Sequence, residues 1–185
     1  MIANRSKHLL GGLWIAAALA GGCRCNDGQP RAKPAARGLD DRGQMQIGEG
    51  DRCPVCAMRV TRHRRFVSAI ELDDRRVYYF CGTGCMIKSW LHPEVFLGAN
   101  KAALRRAVTR EYFGGRQIDA ASARWVAGSD VVGPMGRALV PLRDDADVAV
   151  FRRRHGGDVV FTLDELNDAR FNAITGKEAA RWPAK

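Results

Sequence analysis

Residues 66–85 read FVSAIELDDRRVYYFCGTGC and decide how the fold begins. Apolar and polar residues alternate over 66–72, which is typical of a strand with one buried face. Asp73-Asp74 predicts a turn, and the β-prone run at 76–80 predicts a second strand. We therefore expect a β-hairpin that places Cys81 at the end of its second strand.

The residues after this hairpin predict a complete ββαβ unit. Residues 82–91 are expected to form a helix that ends at His92-Pro93, and 108–113 a returning strand. The second half predicts the same order again. Its expected elements are strands at 124–127 and 138–142, a helix at 144–154, a strand at 159–161 and a short helix at 163–173. The predicted fold class is therefore α+β, with two consecutive ββαβ units.

The N-terminal residues are predicted to be an export signal. Arg5 and Lys7 precede an apolar run at 9–19, which is followed by small residues up to Cys23. The stretch Leu19-Ala20-Gly21-Gly22-Cys23 resembles a bacterial lipobox, so we expect residues 1–22 to be removed and Cys23 to be lipidated. The alternative is ordinary cleavage to a soluble secreted protein.

The predicted location is the cell envelope, lipid-anchored and facing the periplasm. Arg24 stands where an aspartate would resemble an inner-membrane retention signal, so the outer membrane is favoured over the inner.

Three further segments are predicted after the signal. Residues 23–48 are rich in proline, glycine and charge without apolar periodicity, which indicates a flexible tether. Residues 49–113 are expected to form the first, metal-binding ββαβ unit. Residues 114–185 are expected to form the second unit and a C-terminal helix.

The formal net charge of +10 raises the question of a nucleic-acid partner. An exported chain meets no DNA, and its arginines are scattered without interleaved aromatic residues. We therefore expect no nucleic-acid partner. Lipid headgroups, an acidic partner protein or simple solubility remain as explanations of the charge.

The chemistry of the predicted domain resides in its sulfur atoms. Cys53-Pro54-Val55-Cys56 and Cys81-Gly82-Thr83-Gly84-Cys85 supply two pairs, and the hairpin can bring them together, with Met58 nearby. Four thiolates alone would suit zinc and copper equally, whereas a thioether is a poor ligand for zinc and a good one for Cu(I). The donor set therefore predicts a Cu(I) site, with zinc as the alternative metal.

Three other interpretations of these cysteines stay open. Export favours disulfides, with Cys53–Cys56 or Cys81–Cys85 as pairs. A closed four-thiolate zinc site would make the protein a structural interaction module. A CxxC thiol oxidoreductase needs a low-pKa thiol, usually at a helix N-terminus, and here the motif precedes strand signals instead. No catalytic triad, phosphate-binding glycine loop or paired acids occur at a convincing spacing, so we expect neither an enzyme nor a small-molecule substrate.

Several ordered motifs resemble the NosL family of copper-binding lipoproteins, which accompany nitrous oxide reductase. They are Cys56-Ala57-Met58, Gly128-Ser129-Asp130, Gly133-Pro134-Met135-Gly136 and His155-Gly156-Gly157. The family usually has a glycine where Ala57 stands. The segment 53–97, with Tyr78-Tyr79-Phe80-Cys81 and His92-Pro93-Glu94, also resembles YHS or TRASH-type metal-binding modules.

The resemblance implies a pair of ββαβ units and a function in denitrification. The protein would bind Cu(I) after export and pass it to a copper enzyme, or to the ABC-type membrane complex that assembles that enzyme. It implies Cys56, Met58 and Met135 as ligands and adds His155 as a weaker candidate.

Overall fold

A computed structural model describes residues 32–176 of the chain. Its strands are β1 (Ser68–Leu72), β2 (Val77–Phe80), β3 (Leu104–Arg110), β4 (Gln117–Asp119), β5 (Arg124–Ser129), β6 (Val132–Gly133), β7 (Gly136–Arg137), β8 (Val140–Leu142) and β9 (Gly156–Phe161). Its helices are α1 (Thr83–Leu91), α2 (Pro93–Phe96), α3 (Asp145–His155) and α4 (Asp168–Thr175). Over this part of the chain no helix is both long and apolar enough to cross a membrane.

The predicted hairpin forms the centre of the first sheet. This antiparallel sheet has the order β2-β1-β3-β4, and Ser68 pairs with both Phe80 and Thr109. Every residue of β1 and β2 is buried, although the alternation predicted only one buried face. The other face is buried too because α1 and the second half of the chain cover the sheet. The helix α1 follows directly and ends where Pro93 begins α2, as predicted.

The second sheet repeats this arrangement. It has the order β8-β5-β9, so the first strand of each half lies between its two partners. The helix α3 connects β8 to β9, with acidic residues in its first turn and arginines in its last, which complements the helix dipole. This is the predicted α+β class with ββαβ order in both halves.

Two short strand pairs lie outside the prediction. Strand β4 pairs with β3, so the first sheet extends to Asp119 and not to the expected boundary at 113. The two-residue strands β6 and β7 form a hairpin inserted between β5 and β8. Both were missed because strands of two or three residues have no measurable periodicity.

One hydrophobic cluster draws residues from both sheets, and a second, smaller cluster lies between the second sheet and α3. Trp125 and Phe161 of the second sheet stack with ring centroids 6.3 Å apart, in the same buried cluster as Ile70 and Tyr79 of the first. The two ββαβ halves therefore form one compact unit.

The predicted tether is structured over much of its described part. The Ala35 amide donates to the Val77 carbonyl at 2.8 Å, and the Tyr79 hydroxyl donates to Gly38 O and accepts from Gln46 N, both at 2.9 Å. Met45 is buried. Residues 35–46 thus dock on the first sheet, which corrects the expectation of a flexible segment there. Composition suggested flexibility because the partners of these residues lie 30 to 70 positions away.

The remaining N-terminal predictions fall outside the described residues. These are the signal at 1–22, the lipidation of Cys23 and the tether up to residue 31.

One buried carboxylate lies on the first sheet. Glu71 of β1 is 2% exposed, and its oxygens lie 3.2 Å from Arg75, 3.1 Å from Arg105 and 2.7 Å from Arg106. The three guanidinium groups satisfy a charge that would otherwise be costly to bury. They also join the β1–β2 turn to β3.

Candidate metal centre

The first cysteine pair lies on a tight loop. The Cys53 amide donates to Met58 O at 2.9 Å, and the Ala57 amide donates to Cys53 O at 2.8 Å. Arg52 and Arg59 form an isolated antiparallel bridge that closes the loop. Ala57 has a φ of 58°, the left-handed region in which glycine is least strained. This conformation explains why a glycine suits the position that Ala57 occupies.

The second pair is positioned by regular structure. Cys81 directly follows the last residue of β2, and Cys85 lies in the first turn of α1. Because β2 ends beside the loop, the two pairs meet although 24 residues separate Cys56 from Cys81.

All four sulfurs converge. The Sγ atoms of Cys53, Cys56, Cys81 and Cys85 lie within 4.8 Å of one another, and Cys56 Sγ is 3.4 Å from Cys81 Sγ. An ion with metal–sulfur bonds of about 2.3 Å holds four tetrahedral sulfurs about 3.8 Å apart. The cluster therefore needs only a small contraction to enclose one ion. Over the described residues it is the one group of three or more His, Cys, Asp or Glu side chains that could hold a metal.

The cluster is mostly enclosed. Cys53, Cys81 and Cys85 are buried, and Cys56 is intermediate. All four are free thiols, so neither of the two disulfides that stayed open as alternatives is formed here.

Crowding shifts the pKa values of three of these thiols in opposite directions. Hydrogen bonds from the Cys81 thiol and then from the Cys85 thiol lower the pKa of Cys53 far below the ordinary thiol range. The interaction with Cys53 raises the pKa of both Cys81 and Cys85, and burial raises them further. These shifts favour the thiolate form at Cys53 and the protonated form at Cys81 and Cys85, and a metal ion that binds the latter two must displace their protons.

The geometry gives little support to a CxxC oxidoreductase. Cys53 and Cys56 occupy a loop, whereas the cysteine near a helix N-terminus is Cys85. The low pKa of Cys53 comes from neighbouring thiols and not from a helix dipole.

Met58 lies beside the core. Its side chain is partly buried and, like Cys56, packs on the main hydrophobic cluster, which contains Cys53, Cys81 and Cys85. It does not line the cavity described next, so the two methionines proposed as ligands occupy different positions.

Met135 lies at the tip of the β6–β7 hairpin and is 58% exposed. It lines a cavity of about 260 Å³ together with Cys85, Val55, Phe66 and residues of α4. The neighbouring Pro134 packs on Gly82, between Cys81 and Cys85, where an added Cβ would lie 3.4 Å from the proline ring. The hairpin thus brings Met135 to the rim of a cavity that reaches the sulfur cluster.

His155 is engaged elsewhere. Its Nδ1 lies 2.9 Å from the Asp130 carboxylate and its Nε2 lies 3.1 Å from the Tyr112 hydroxyl. With both ring nitrogens occupied, His155 serves to join the end of α3 to β5 and to the loop after β3. It lies outside the sulfur cluster.

The cavity itself was not foreseen. Lys88, Phe66 and Phe171 line it, but they come from three separate elements, and no local pattern links them. The only sequence feature that could have pointed to the cavity was the glycine- and proline-rich turn around Met135.

Fold and site together define the class: a small α+β protein whose four cysteines are positioned to bind a metal ion. The chain belongs to the NosL family, whose sequence model matches residues 44–171. The resemblance seen in its motifs is therefore confirmed.

Two relatives agree with this assignment. The chain is 32% identical over 124 residues to the copper-binding lipoprotein NosL of Stutzerimonas stutzeri, a match that covers 65% of this chain and 64% of the relative. The chain therefore spans slightly less than two thirds of that relative's length.

The crystal structure of the copper chaperone NosL from Shewanella denitrificans superposes with a TM-score of 0.57. The match has 21% sequence identity and covers 68% of this chain and 96% of that one. At this identity the likeness concerns the fold. Both relatives are named for binding or carrying copper, and neither is named as an enzyme.

Proposed function

We propose that this protein is a Cu(I) metallochaperone of the cell envelope. The observation that carries the proposal is the convergence of four free cysteine sulfurs within 4.8 Å. Thiolates are soft donors that bind both Cu(I) and zinc, and the names of the two relatives support copper as the cargo.

The partial exposure of Cys56 suits a carrier. Cys56 is the least buried of the four, so an incoming or outgoing ion would exchange through it first. Cys85 and Met135 line the same cavity, which supports Met135 as a thioether that meets the ion as it leaves the thiols. Met58 is the second proposed thioether ligand, because it follows Cys56 by two residues in the loop.

The proposed location follows from the N-terminus. Lipidation of Cys23 would anchor the protein to a membrane facing the periplasm, with the outer membrane favoured. A single acyl chain binds weakly, whereas a fully lipidated cysteine anchors stably.

The proposed recipient is a copper enzyme or its ABC-type membrane assembly complex. Family membership supports the assembly of nitrous oxide reductase as the destination.

The test is Cu(I) titration in the absence of air, with a competing chelator. We expect one Cu(I) per chain and a loss of affinity of about 100-fold for Cys56→Ser or Cys81→Ser, by analogy with structural zinc sites, where four ligands share about 10–16 kcal/mol. Met58→Leu and Met135→Leu should each weaken Cu(I) binding by a smaller factor. Met86→Leu is the matched control, because Met86 is fully buried in α1 and is assigned no ligand role. Unchanged affinity in both cysteine variants would remove the assigned site.

A structural zinc site is the second candidate. The burial of three of the four thiols favours it, because closed four-thiolate sites are typical of structural zinc. In that case zinc would be recovered at one ion per chain after purification without air. Its affinity would be unchanged in Met58→Leu and Met135→Leu, and chelation would lower the melting temperature.

A further inference from the structure

The loop that holds the first cysteine pair continues into a strongly basic stretch. Residues 52–66, here called the arginine segment, contain five arginines and no carboxylate. These are Arg52, Arg59, Arg62, Arg64 and Arg65. The segment therefore carries a concentrated positive charge directly beside the metal ligands.

The structure holds this segment against the metal centre. Arg52 and Arg59 pair across the base of the cysteine loop, and the guanidinium of Arg65 lies 4.8 Å from the ring centre of Tyr112. Arg62 and Arg64 are exposed. The segment ends at Phe66, which lines the cavity beside Cys85.

The lining of the cavity is also positively charged. None of its lining residues is acidic, and Lys88 and Arg137 are both among them. Together with the arginine segment this makes seven cations. Over the described residues, Arg64 alone among them has a carboxylate within 4.0 Å, Glu49 at 3.9 Å.

Many arginines elsewhere in the fold are neutralised locally. Arg143 contacts Asp147 at 2.6 Å, Arg76 contacts Asp74 at 2.7 Å and Arg124 contacts Asp145 at 3.0 Å. In the part of the chain that the structure describes, six of the seven cations around the metal centre lack such a partner and leave their charge available to a second molecule. When the charges at the rim of an interface all have one sign, they select a partner of the opposite charge and speed its association.

We propose that the arginine segment, Lys88 and Arg137 form a docking surface for an acidic patch on the protein that accepts the metal. The inference rests on the proposed function and names the chemistry of the recipient: carboxylates around a soft-metal site. Docking there would bring the acceptor to Cys56, the least buried of the four thiols, and to the exposed Met135.

A membrane is a poorer occupant of this surface. Anionic lipids would also be attracted to the arginines, but a bilayer seated there would cover the cavity rim at Met135 through which an acceptor must reach the ion. A protein with acidic residues around its own ligands satisfies both the charge and the need for access.

The test uses the full chain in detergent, loaded with Cu(I), and two synthetic peptide acceptors with the same pair of thiols. One acceptor is flanked by aspartates and the other by serines. The variant Arg62→Gln/Arg64→Gln removes two exposed charges of the segment. The matched control, Arg153→Gln/Arg154→Gln, removes two exposed charges at the end of α3.

We expect the preference for the acidic over the neutral acceptor, measured as the ratio of transfer rates, to fall about fivefold in Arg62→Gln/Arg64→Gln at low salt. The control should keep the parent ratio. At about 300 mM salt, where charges are screened beyond a few ångströms, the parent should lose the preference too.

Equal ratios in the parent and both variants would overturn the docking surface while leaving the chaperone function intact. Failure to load Cu(I) would instead count against the proposed function. In that event, amide NMR shifts of the metal-free chain, titrated with the acidic peptide, still test docking at residues 52–66. Loss of binding to phosphatidylglycerol vesicles in Arg62→Gln/Arg64→Gln, with unchanged transfer ratios, would assign the segment to the membrane and overturn the proposal.

Discussion

Cys56 Sγ lies 3.4 Å from Cys81 Sγ, the sulfur of a residue at the end of a strand 25 positions further along the chain. The two residues are far apart in sequence and belong to different parts of the fold. The contact exists because the cysteine loop folds over the end of β2. It joins the most exposed thiol of the centre to a fully buried one.

This contact predicts which disulfide forms first. Mild oxidation with diamide should remove two hydrogens from Cys56 and Cys81 and join them, because an oxidant can reach Cys56 and its nearest sulfur is at hand. Metal uptake should then be lost. Peptide mapping by mass spectrometry identifies the bond, and Cys56→Ser should prevent it. A first bond between Cys53 and Cys56, or between Cys81 and Cys85, would contradict this prediction.

Metal binding should weaken as the pH falls. The pKa of Cys81 and that of Cys85 are raised, so both thiols are protonated near neutral pH and must lose a proton when a metal binds. Two displaced protons predict a loss of affinity of about 100-fold for each unit of pH decrease. The measurement is a competition titration at several pH values, and Cys85→Ser should show a shallower slope. A pH-independent affinity would contradict the proposed proton displacement.

Glu71 is expected to stabilise the first sheet. Glu71→Gln keeps the shape of the side chain but removes the charge that the three arginines surround. Those arginines are 34% to 59% exposed and can be rehydrated, so we expect a loss of about 1–3 kcal/mol in the free energy of unfolding. Urea denaturation gives the value.

The control for Glu71 is Asp74→Asn. Asp74 is also paired with an arginine but is solvent-exposed, so the urea midpoint should not move measurably. Equal effects of the two substitutions would show that burial of Glu71 has no energetic consequence.

Tyr79 is expected to hold the N-terminal segment on the sheet. Its hydroxyl bonds both Gly38 and Gln46, so Tyr79→Phe should increase hydrogen exchange of the amides at 35–46 by roughly tenfold, which corresponds to about 1.4 kcal/mol. The matched control is Tyr78→Phe, because the Tyr78 hydroxyl bonds Leu97 O instead. Similar exchange in the two variants would show that other contacts hold this segment.

Local pattern was sufficient for the main elements of the fold. The alternation at 66–72, the Asp73-Asp74 turn and the stop at His92-Pro93 each act through neighbouring residues, and the corresponding strand, turn and helix are present. The two cysteine pairs could also be grouped in advance, because a hairpin must return its second strand towards the start of its first.

The tertiary structure decided the contacts between residues that are far apart in the chain. Residues 35–46 are structured because Tyr79 and Val77 supply hydrogen bonds to them. Met58 packs beside the core, whereas Met135 lies exposed on an inserted hairpin. His155 has both nitrogens occupied by residues from other elements. The sequence by itself determined the strands, the helices and the kinds of donor atom, since these depend on local sterics and side-chain chemistry. Which donors meet depends on strand register and on packing between distant segments, and only the folded chain specifies those.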